Sequence, residues 1–128
     1  MPTFPLVTGD VLTSTIFNGL PAFTVQTAKT VDYTAASGDE YQQLIPMNKA
    51  TAVAFKIPTD ATYAFPTGTV ITVLNIGAGT CTISATTSAT TTILSAGTVA
   101  ASPTLAQYKS AACIKTAANA WYIVGAIA

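Results

Sequence analysis

The chain has 128 residues, and its five lysines and five acidic residues give a net charge of zero, with no arginine and no histidine. A chain of this length forms one domain with a core of its own. The absence of a basic surface argues against nucleic-acid binding, and no apolar run approaches the roughly 18 residues of a membrane helix. Because only 8% of the residues are charged and the mean hydropathy is +0.50, we expect part of the surface to be buried against partners.

The N-terminal segment, residues 1–24, predicts a docking element. Met1–Val7 contains two prolines and therefore predicts an extended arm, and Val11–Asn18 predicts a helix of two turns, which is too short to be stable alone. The segment lacks the basic and apolar regions of a signal peptide, so we expect synthesis in the cytoplasm. Its apolar side chains are the expected interface residues: Phe4, Leu6, Val7, Ile16, Phe17, Leu20 and Phe23.

Residues 25–128 predict an all-β domain, because short alternating segments separated by turns replace any long helical pattern. This spacing is typical of an antiparallel β-sandwich or a jelly-roll-like barrel. The predicted strands are Phe23–Thr27, Thr30–Thr34, Tyr41–Met47, Thr51–Ile57, Thr69–Ile76, Thr80–Ser84, Ile93-Leu94, Thr98–Ala101, Gln107–Lys115 and Trp121–Ile127. The last two predict a closing hairpin in which Tyr108, Ala112 and Ile114 share one face and Lys109 and Lys115 the other.

The stretch Phe65–Ser84 predicts a β-hairpin in the middle of this domain. Gly77-Ala78-Gly79 separates two arms rich in β-branched residues, and its glycines supply the positive φ of a tight turn. The first arm is apolar on both faces, with Val70 and Leu74 opposite Ile71 and Val73. Such a strand belongs inside a sheet that is covered on both sides, by a second layer or by another subunit.

The sequence offers little for catalysis or for metal binding. Without histidine there is no Ser-His-Asp or Cys-His site, and Cys81 and Cys113 alone make no metal site, so we expect no cofactor. Both cysteines are predicted to be buried free thiols, with a disulfide as the alternative. The acidic residues are interpreted as a helix cap, a strand-surface residue, a solvated turn and a loop residue: Asp10, Asp32, Asp39 with Glu40, and Asp60. A carboxylate-pair glycosidase would need two of them across one cleft.

Aromatic side chains on a β-scaffold can stack on sugars. Tyr63, Tyr108 and Tyr122 are the candidates for glycan stacking, whereas Trp121 is interpreted as an anchor of the core or of an interface. These residues favour a binding or structural module over an enzyme.

Three segments in order resemble a β-domain of tailed-bacteriophage virion proteins. The Asn48-Lys49-Ala50 turn leads into AFKIP, FPTGTVITVLNIGAGTCTI follows, and YKSAACIKTAANAWYIVGAI closes the chain with Trp121 and Gly125 at the family spacing. The opening MPTFPLVTGDVLTSTIFNGLP is similar to the start of many such phage chains. Together the matches span most of the chain, in the pattern of tail-fibre-type and head-decoration-type proteins.

This resemblance implies a non-enzymatic virion component, commonly trimeric. The short length suits a small capsid decoration (cement) protein, whose partners are other copies of itself and the major capsid protein or another virion protein. The alternative is a tail or fibre component that binds host-surface glycans. A third hypothesis, an unrelated carbohydrate-active enzyme, depends on the carboxylates named above.

Overall fold

A computed structural model describes residues 25–41, 44–99 and 101–127. The predicted N-terminal arm, the short helix and all seven predicted docking residues lie outside these ranges. The described ranges contain ten β-strands and no helix, which confirms the all-β class. The strands are β1 (Tyr33–Thr34), β2 (Leu44–Met47), β3 (Val53–Ile57), β4 (Val70–Asn75), β5 (Cys81–Ala85), β6 (Thr92–Ser95), β7 (Thr98–Val99), β8 (Thr104–Leu105), β9 (Ser110–Ala117) and β10 (Ala120–Gly125).

The strands form two mixed sheets that pack as a β-sandwich. One sheet has the order β1-β3-β5-β8 and the other the order β2-β4-β9-β10-β6-β7. From β2 to β5 each strand lies in the opposite sheet from the strand before it. The chain reverses direction at each crossing, so two crossings bring it back to the same sheet in its original direction. Neighbours in one sheet therefore run parallel, as β2–β4 and β3–β5 do. The expectation of purely antiparallel pairing is wrong, since β1–β3 and β6–β10 are parallel as well.

The predicted hairpin over Phe65–Ser84 is also wrong. β4 lies in the six-stranded sheet and β5 in the four-stranded sheet, so residues 76–80 are a crossover between the layers. Neither Gly77 nor Gly79 has positive φ. Both are glycine for a different reason: a Cβ on Gly77 would lie 2.3 Å from the Lys49 nitrogen, and one on Gly79 would lie 1.9 Å from the Thr51 oxygen. The doubly apolar first arm, in contrast, does lie inside a sheet, between β2 and β9.

A buried asparagine holds this crossover in place. Asn75 is fully buried at the end of β4, and its Nδ2 donates hydrogen bonds to the carbonyl oxygens of Gly79 and Leu105, both at 2.8 Å. Its Oδ1 accepts a hydrogen bond from the Gly77 N–H at 3.1 Å. One amide thus joins the end of β4 to the crossover and to β8 in the opposite sheet, with its donors and acceptor satisfied as a buried polar group requires.

The core lies between the sheets and contains alternate residues of each long strand. Trp121 is 1% exposed and meets Phe65 edge to face, with ring centroids 5.7 Å apart, so it is a core anchor. Strand β3 alternates as predicted, with Val53, Phe55 and Ile57 buried. The closing hairpin is confirmed as the antiparallel pair β9–β10. The remaining fully buried large side chains are Ile45, Met47, Ile71, Val73, Ile83, Ile93, Leu105 and Ile123.

One lysine lies inside this core. Lys115, on the inward face of β9, is 3% exposed and its Nζ donates to Asp60 Oδ1 at 2.8 Å and to the Phe65 carbonyl oxygen at 2.6 Å. Asp60 in turn binds the turn between β9 and β10: the Asn119 N–H donates to Oδ2 at 3.2 Å. Asp60 is a loop residue, as the sequence predicted, and its bonds to Lys115 and Asn119 fix the loop from β3 to β4 to the closing hairpin.

Candidate interaction surfaces

The three tyrosines predicted to stack on glycans lie in three different environments. Tyr63 is half-buried: its hydroxyl donates to the Glu40 carboxylate, and its ring packs edge to face on Phe65 with centroids 4.5 Å apart. The hydrogen bond to Glu40 has the largest effect on the pKa of Tyr63 and raises it above its ordinary value. A hydrogen bond with Ser37 lowers this pKa by a smaller amount. This tyrosine is held by contacts within its own domain.

Tyr108 is the most exposed of the three. Its side chain is 75% exposed and its backbone is left-handed, with φ of 65°, which is uncommon for an aromatic residue. Its N–H donates to the Asn75 carbonyl oxygen at 2.6 Å, so it lies beside the end of β4, whereas Tyr63 precedes the start of that strand. Tyr108 and Tyr63 are at opposite ends of the sheet and do not form one stacking platform.

Tyr122 belongs to a continuous apolar surface that we call the outer face, the side of the six-stranded sheet turned away from the core. Two lateral rows of paired residues define it. The first row is Leu94, Tyr122, Ile114 and Val70, and the second is Val124, Ala112, Thr72 and Leu44. Leu74 extends it along β4, and its neighbour Pro46 on β2 lies on the same side of the sheet but is buried. None of these ten side chains is charged, and Tyr122 and Val124 are 45% and 49% exposed.

Sequence reasoning placed Ala112 and Ile114 together on one side of β9 and Lys115 on the other, as the structure has them. The outer face could not be predicted from the sequence, because it depends on which strands are neighbours and on the register in which they pair. Tyr41, which is 66% exposed, was also not among the candidates. It follows the Ser37–Glu40 turn directly, and this position is the signal that points to exposure.

The four carboxylates in the described ranges all accept hydrogen bonds from the domain itself. Asp39 was interpreted as part of a solvated turn, and this is wrong: it is 4% exposed and accepts hydrogen bonds from Gln26 at 2.6 Å and from the Tyr33 hydroxyl at 2.8 Å. Burial is the largest cause of the raised pKa of Tyr33, and the hydrogen bond to Asp39 and the charge of Asp39 raise it further. Asp32 accepts a hydrogen bond from the Ala54 N–H at 2.9 Å, and Glu40 and Asp60 have the partners given above.

Cys81 and Cys113 are free and fully buried, as the sequence predicted. Burial raises the pKa of Cys81 to about 11, and burial also raises the pKa of Cys113. At neutral pH both are protonated thiols that pack as small apolar side chains.

A cavity of about 190 Å³ lies between β5 and β6 and is lined mainly by small hydroxyl and methyl groups, including Ser84, Ser88, Thr91 and Ser102. No tyrosine lines it. Within the described ranges, no three histidine, cysteine or acidic residues lie close enough together to bind a metal ion. No helix in those ranges is long and apolar enough to cross a membrane.

Comparison of the chain with known protein families, with curated proteins and with solved structures finds no match.

Proposed function

We propose that this chain is a non-enzymatic structural protein of a tailed-phage virion, a small capsid decoration protein that attaches to the shell as a homotrimer. The observation that carries the proposal is the order of the phage-like motifs, from the Asn48-Lys49-Ala50 turn to the Trp121 and Gly125 pair. The motifs cover most of the chain, and the described domain offers a large uncharged face on which attachment can depend.

The roles of the polar groups support a structural protein over an enzyme. Each described carboxylate is engaged by a backbone N–H, a hydroxyl, an amide or a lysine of the same domain. Asp60 is tied to Lys115 and Asp39 is buried. A carboxylate pair for glycoside hydrolysis needs two groups that face one open cleft, and these groups instead hold loops and turns.

Attachment through several copies explains how a chain with so few charges binds. In an oligomer, once one copy is bound, the others bind at high effective concentration, so weak apolar contacts suffice. The proposed contact residues are those of the N-terminal segment: Phe4, Leu6, Val7, Ile16, Phe17, Leu20 and Phe23. Their partner is the major capsid protein or a neighbouring copy.

Light scattering of the purified full chain tests the oligomer, since a trimer has three times the mass of the 13.0 kDa chain. Sedimentation with shells of the phage that encodes the chain tests the attachment, and an electron-microscopy map of that particle locates the protein on it. A stable monomer that does not sediment with the shells contradicts the proposal.

A second candidate function, binding of host-surface glycans by a tail or fibre component, is favoured by Tyr108. An exposed aromatic residue held in a left-handed backbone conformation is typical of a functional position. A glycan array with the full chain and with Tyr108→Ala tests this function, and Tyr41→Ala is the matched control because Tyr41 is similarly exposed. Binding that is lost only with Tyr108→Ala supports glycan recognition, and an array without signal contradicts it.

A further inference from the structure

The cavity between β5 and β6 opens where the pairing of β5 with β8 stops. The Ile83 N–H donates to the Pro103 carbonyl oxygen at 2.9 Å, but a proline has no N–H with which to continue the ladder. The chain before Pro103 is bonded to the opposite sheet, since the Ala101 N–H donates to the Ile93 carbonyl oxygen at 3.0 Å. Within the described ranges, the end of β5 therefore has no strand paired with it on this side, and the cavity lies in that gap beside Ser84.

Hydroxyl and methyl groups form the wall of this cavity. The hydroxyls are those of Ser84, Ser88, Thr91 and Ser102, and the methyl groups include those of Ala85 and Ala101. None of the described residues in the wall is charged or aromatic. Because serine and threonine hydroxyls both donate and accept hydrogen bonds, such a wall suits a ligand that carries hydroxyl and C–H groups and no charge.

One of these hydroxyls is buried and lacks a partner. Thr91 is 1% exposed, and its Oγ1 has no hydrogen-bond partner in the part of the chain that the structure describes. A buried polar group without a partner is destabilising, and native proteins contain few of them. Because Thr91 lines the cavity, a molecule inside the cavity can supply the missing hydrogen bond.

The volume of the cavity restricts what this molecule can be. At about 30 Å³ for each water molecule, a volume of about 190 Å³ holds roughly six waters. A site for a drug-sized ligand is larger, with roughly 300 Å³ or more. Ser88 and Ser102 are exposed, so the cavity is open to solvent on their side. A single sugar ring is of this size, and it carries hydroxyl groups around its rim and C–H groups on its faces.

We infer that this cavity is a binding site for one uncharged sugar ring. The ring is held by hydrogen bonds to Thr91, Ser84 and Ser102, and its C–H face lies against the alanine methyl groups. The site is separate from Tyr108, which lies beside the end of β4 and does not line the cavity. The inference goes beyond the proposed function and does not depend on it, because the sugar site needs neither the shell nor a second copy.

An NMR titration of the full chain with single sugars tests the site, since it measures the affinity and locates the contact. The probes are D-glucose, D-galactose and D-mannose. A ligand of about twelve non-hydrogen atoms is expected to bind with a dissociation constant of roughly 1–10 mM. We expect at least one of the three to bind in this range and to shift the amide signals of Thr91 and Ser102.

The uronate of the sugar that binds is the control for charge, because a carboxylate replaces one hydroxyl group and the rest of the ring is the same. The described wall has no charged group that could pair with a carboxylate, and burial of an unpaired charge is unfavourable. We expect the uronate to bind at least roughly tenfold more weakly.

Thr91→Val removes the unpartnered hydroxyl and keeps the shape of the side chain. We expect it to weaken sugar binding at least roughly tenfold and to leave the urea midpoint unchanged or higher, because the hydroxyl has no partner to lose. Ser95→Ala is the matched control. The Ser95 Oγ is also buried without a partner among the described residues, but Ser95 does not line the cavity, so its removal should leave sugar binding unchanged.

Four results would overturn the inference. The first is the absence of shifts with all three sugars at about 100 mM, well above the expected dissociation constant, which is the result if the cavity holds only water. The others are equal binding of the uronate, unchanged binding by Thr91→Val, and equal weakening by Thr91→Val and Ser95→Ala. Shifts confined to the surroundings of Tyr108 would likewise contradict the cavity site and support the second candidate function. Trimer formation and sedimentation with shells are measured separately, so the sugar site and the proposed function can each fail while the other stands.

Discussion

Asn75 is the residue on which the connection between the two sheets most directly depends. Its amide donates both of its hydrogens to buried carbonyl groups, those of Gly79 and Leu105. A carboxylate of the same size cannot donate, and it adds a charge at a site that water does not reach. We expect Asn75→Asp to lower the free energy of unfolding by about 3 kcal/mol or more, since each buried group left unpaired costs roughly 1–3 kcal/mol. Urea unfolding followed by Trp121 fluorescence measures the loss.

Gln107→Glu is the matched control for this prediction, because it makes the same change from amide to acid at an exposed position. The Gln107 Nε2 also donates to a carbonyl oxygen, that of Ile76 at 3.3 Å. Water replaces this bond, so we expect a change within about 0.5 kcal/mol. If both variants lose the same free energy of unfolding, the burial of the Asn75 amide does not explain the effect of Asn75→Asp.

The two buried thiols predict how stability responds to alkaline pH. Burial raises the pKa of Cys81 from 9.0 to about 11, and the pKa of Cys113 rises in the same direction. Between these values the folded state keeps protons that the unfolded state releases. The stability that the two protonated thiols contribute is therefore fully present below about pH 9 and is lost as the pH rises toward 11. For each thiol, the free energy of unfolding falls by at most about 1.4 kcal/mol per pH unit in this range.

Urea midpoints at a series of pH values from neutral to alkaline measure this slope. The variant with Cys81→Ala and Cys113→Ala should be less stable at neutral pH but should decline less steeply above pH 9. The Tyr33 hydroxyl, whose pKa is also raised, remains in both proteins and accounts for a residual decline. Parallel curves for the two proteins would contradict the assignment to the thiols.

At the scale of elements, the crossover between β4 and β5 depends on the absence of a side chain at Gly79. A Cβ there would lie 1.9 Å from the Thr51 carbonyl oxygen, and this contact is with backbone that cannot rotate away. We expect Gly79→Ala to lower the free energy of unfolding by about 3 kcal/mol, the upper range for overpacking. Thermal or urea unfolding measures the change, and failure to accumulate folded protein is the extreme form of the same outcome.

Gly97→Ala separates this steric effect from backbone strain. Gly97 has φ of 81° and nothing within 4 Å of an added Cβ, so its substitution costs only roughly 1–2 kcal/mol. If Gly79→Ala costs no more than Gly97→Ala, the close approach to Thr51 is not what requires a glycine at position 79.

The same crossover shows which features of the fold the sequence can predict. Alternation in β3, the β9–β10 hairpin and the interior position of β4 follow from local patterns of side chains, and all three are confirmed. The sheet to which each strand belongs does not follow from local patterns. A Gly-Ala-Gly segment between two strands permits a hairpin or a crossover, and the choice depends on contacts with Lys49 and Thr51, which are distant in sequence.

The candidate surfaces, like the fold, were only partly predictable from the sequence. The sequence identified Tyr108 and Tyr122 as aromatic residues available at a surface, and the structure exposes both. The buried Asp39 was not predicted, because its partners are the amide of Gln26 and the hydroxyl of Tyr33, and the sequence pattern does not show that these side chains meet. The outer face needs the pairing register of five strands, which no single strand contains.

At the scale of the whole molecule, most of the few charges serve the domain itself. Lys115 and Asp60 neutralise each other in the interior, and Lys29 lies over the ring of Tyr33 with its Nζ 4.3 Å from the centroid. Little charge is left for binding a partner. The proposed association with other copies or with the shell would therefore depend on apolar contact.

If the proposed oligomer forms through apolar contact, its dissociation constant should be insensitive to salt. Raising the ionic strength from about 0.1 M to about 1 M shortens the Debye length from roughly 10 Å to roughly 3 Å, which weakens charge-mediated contacts and leaves apolar contacts intact. We expect the dissociation constant of the oligomer, measured by light scattering across a dilution series, to change by less than about threefold over this range. Lys109→Glu, which reverses an exposed charge, should be equally neutral. Dissociation at high salt, or on reversal of this charge, would place the subunit contact at the sparse charged residues and would contradict attachment through apolar surfaces.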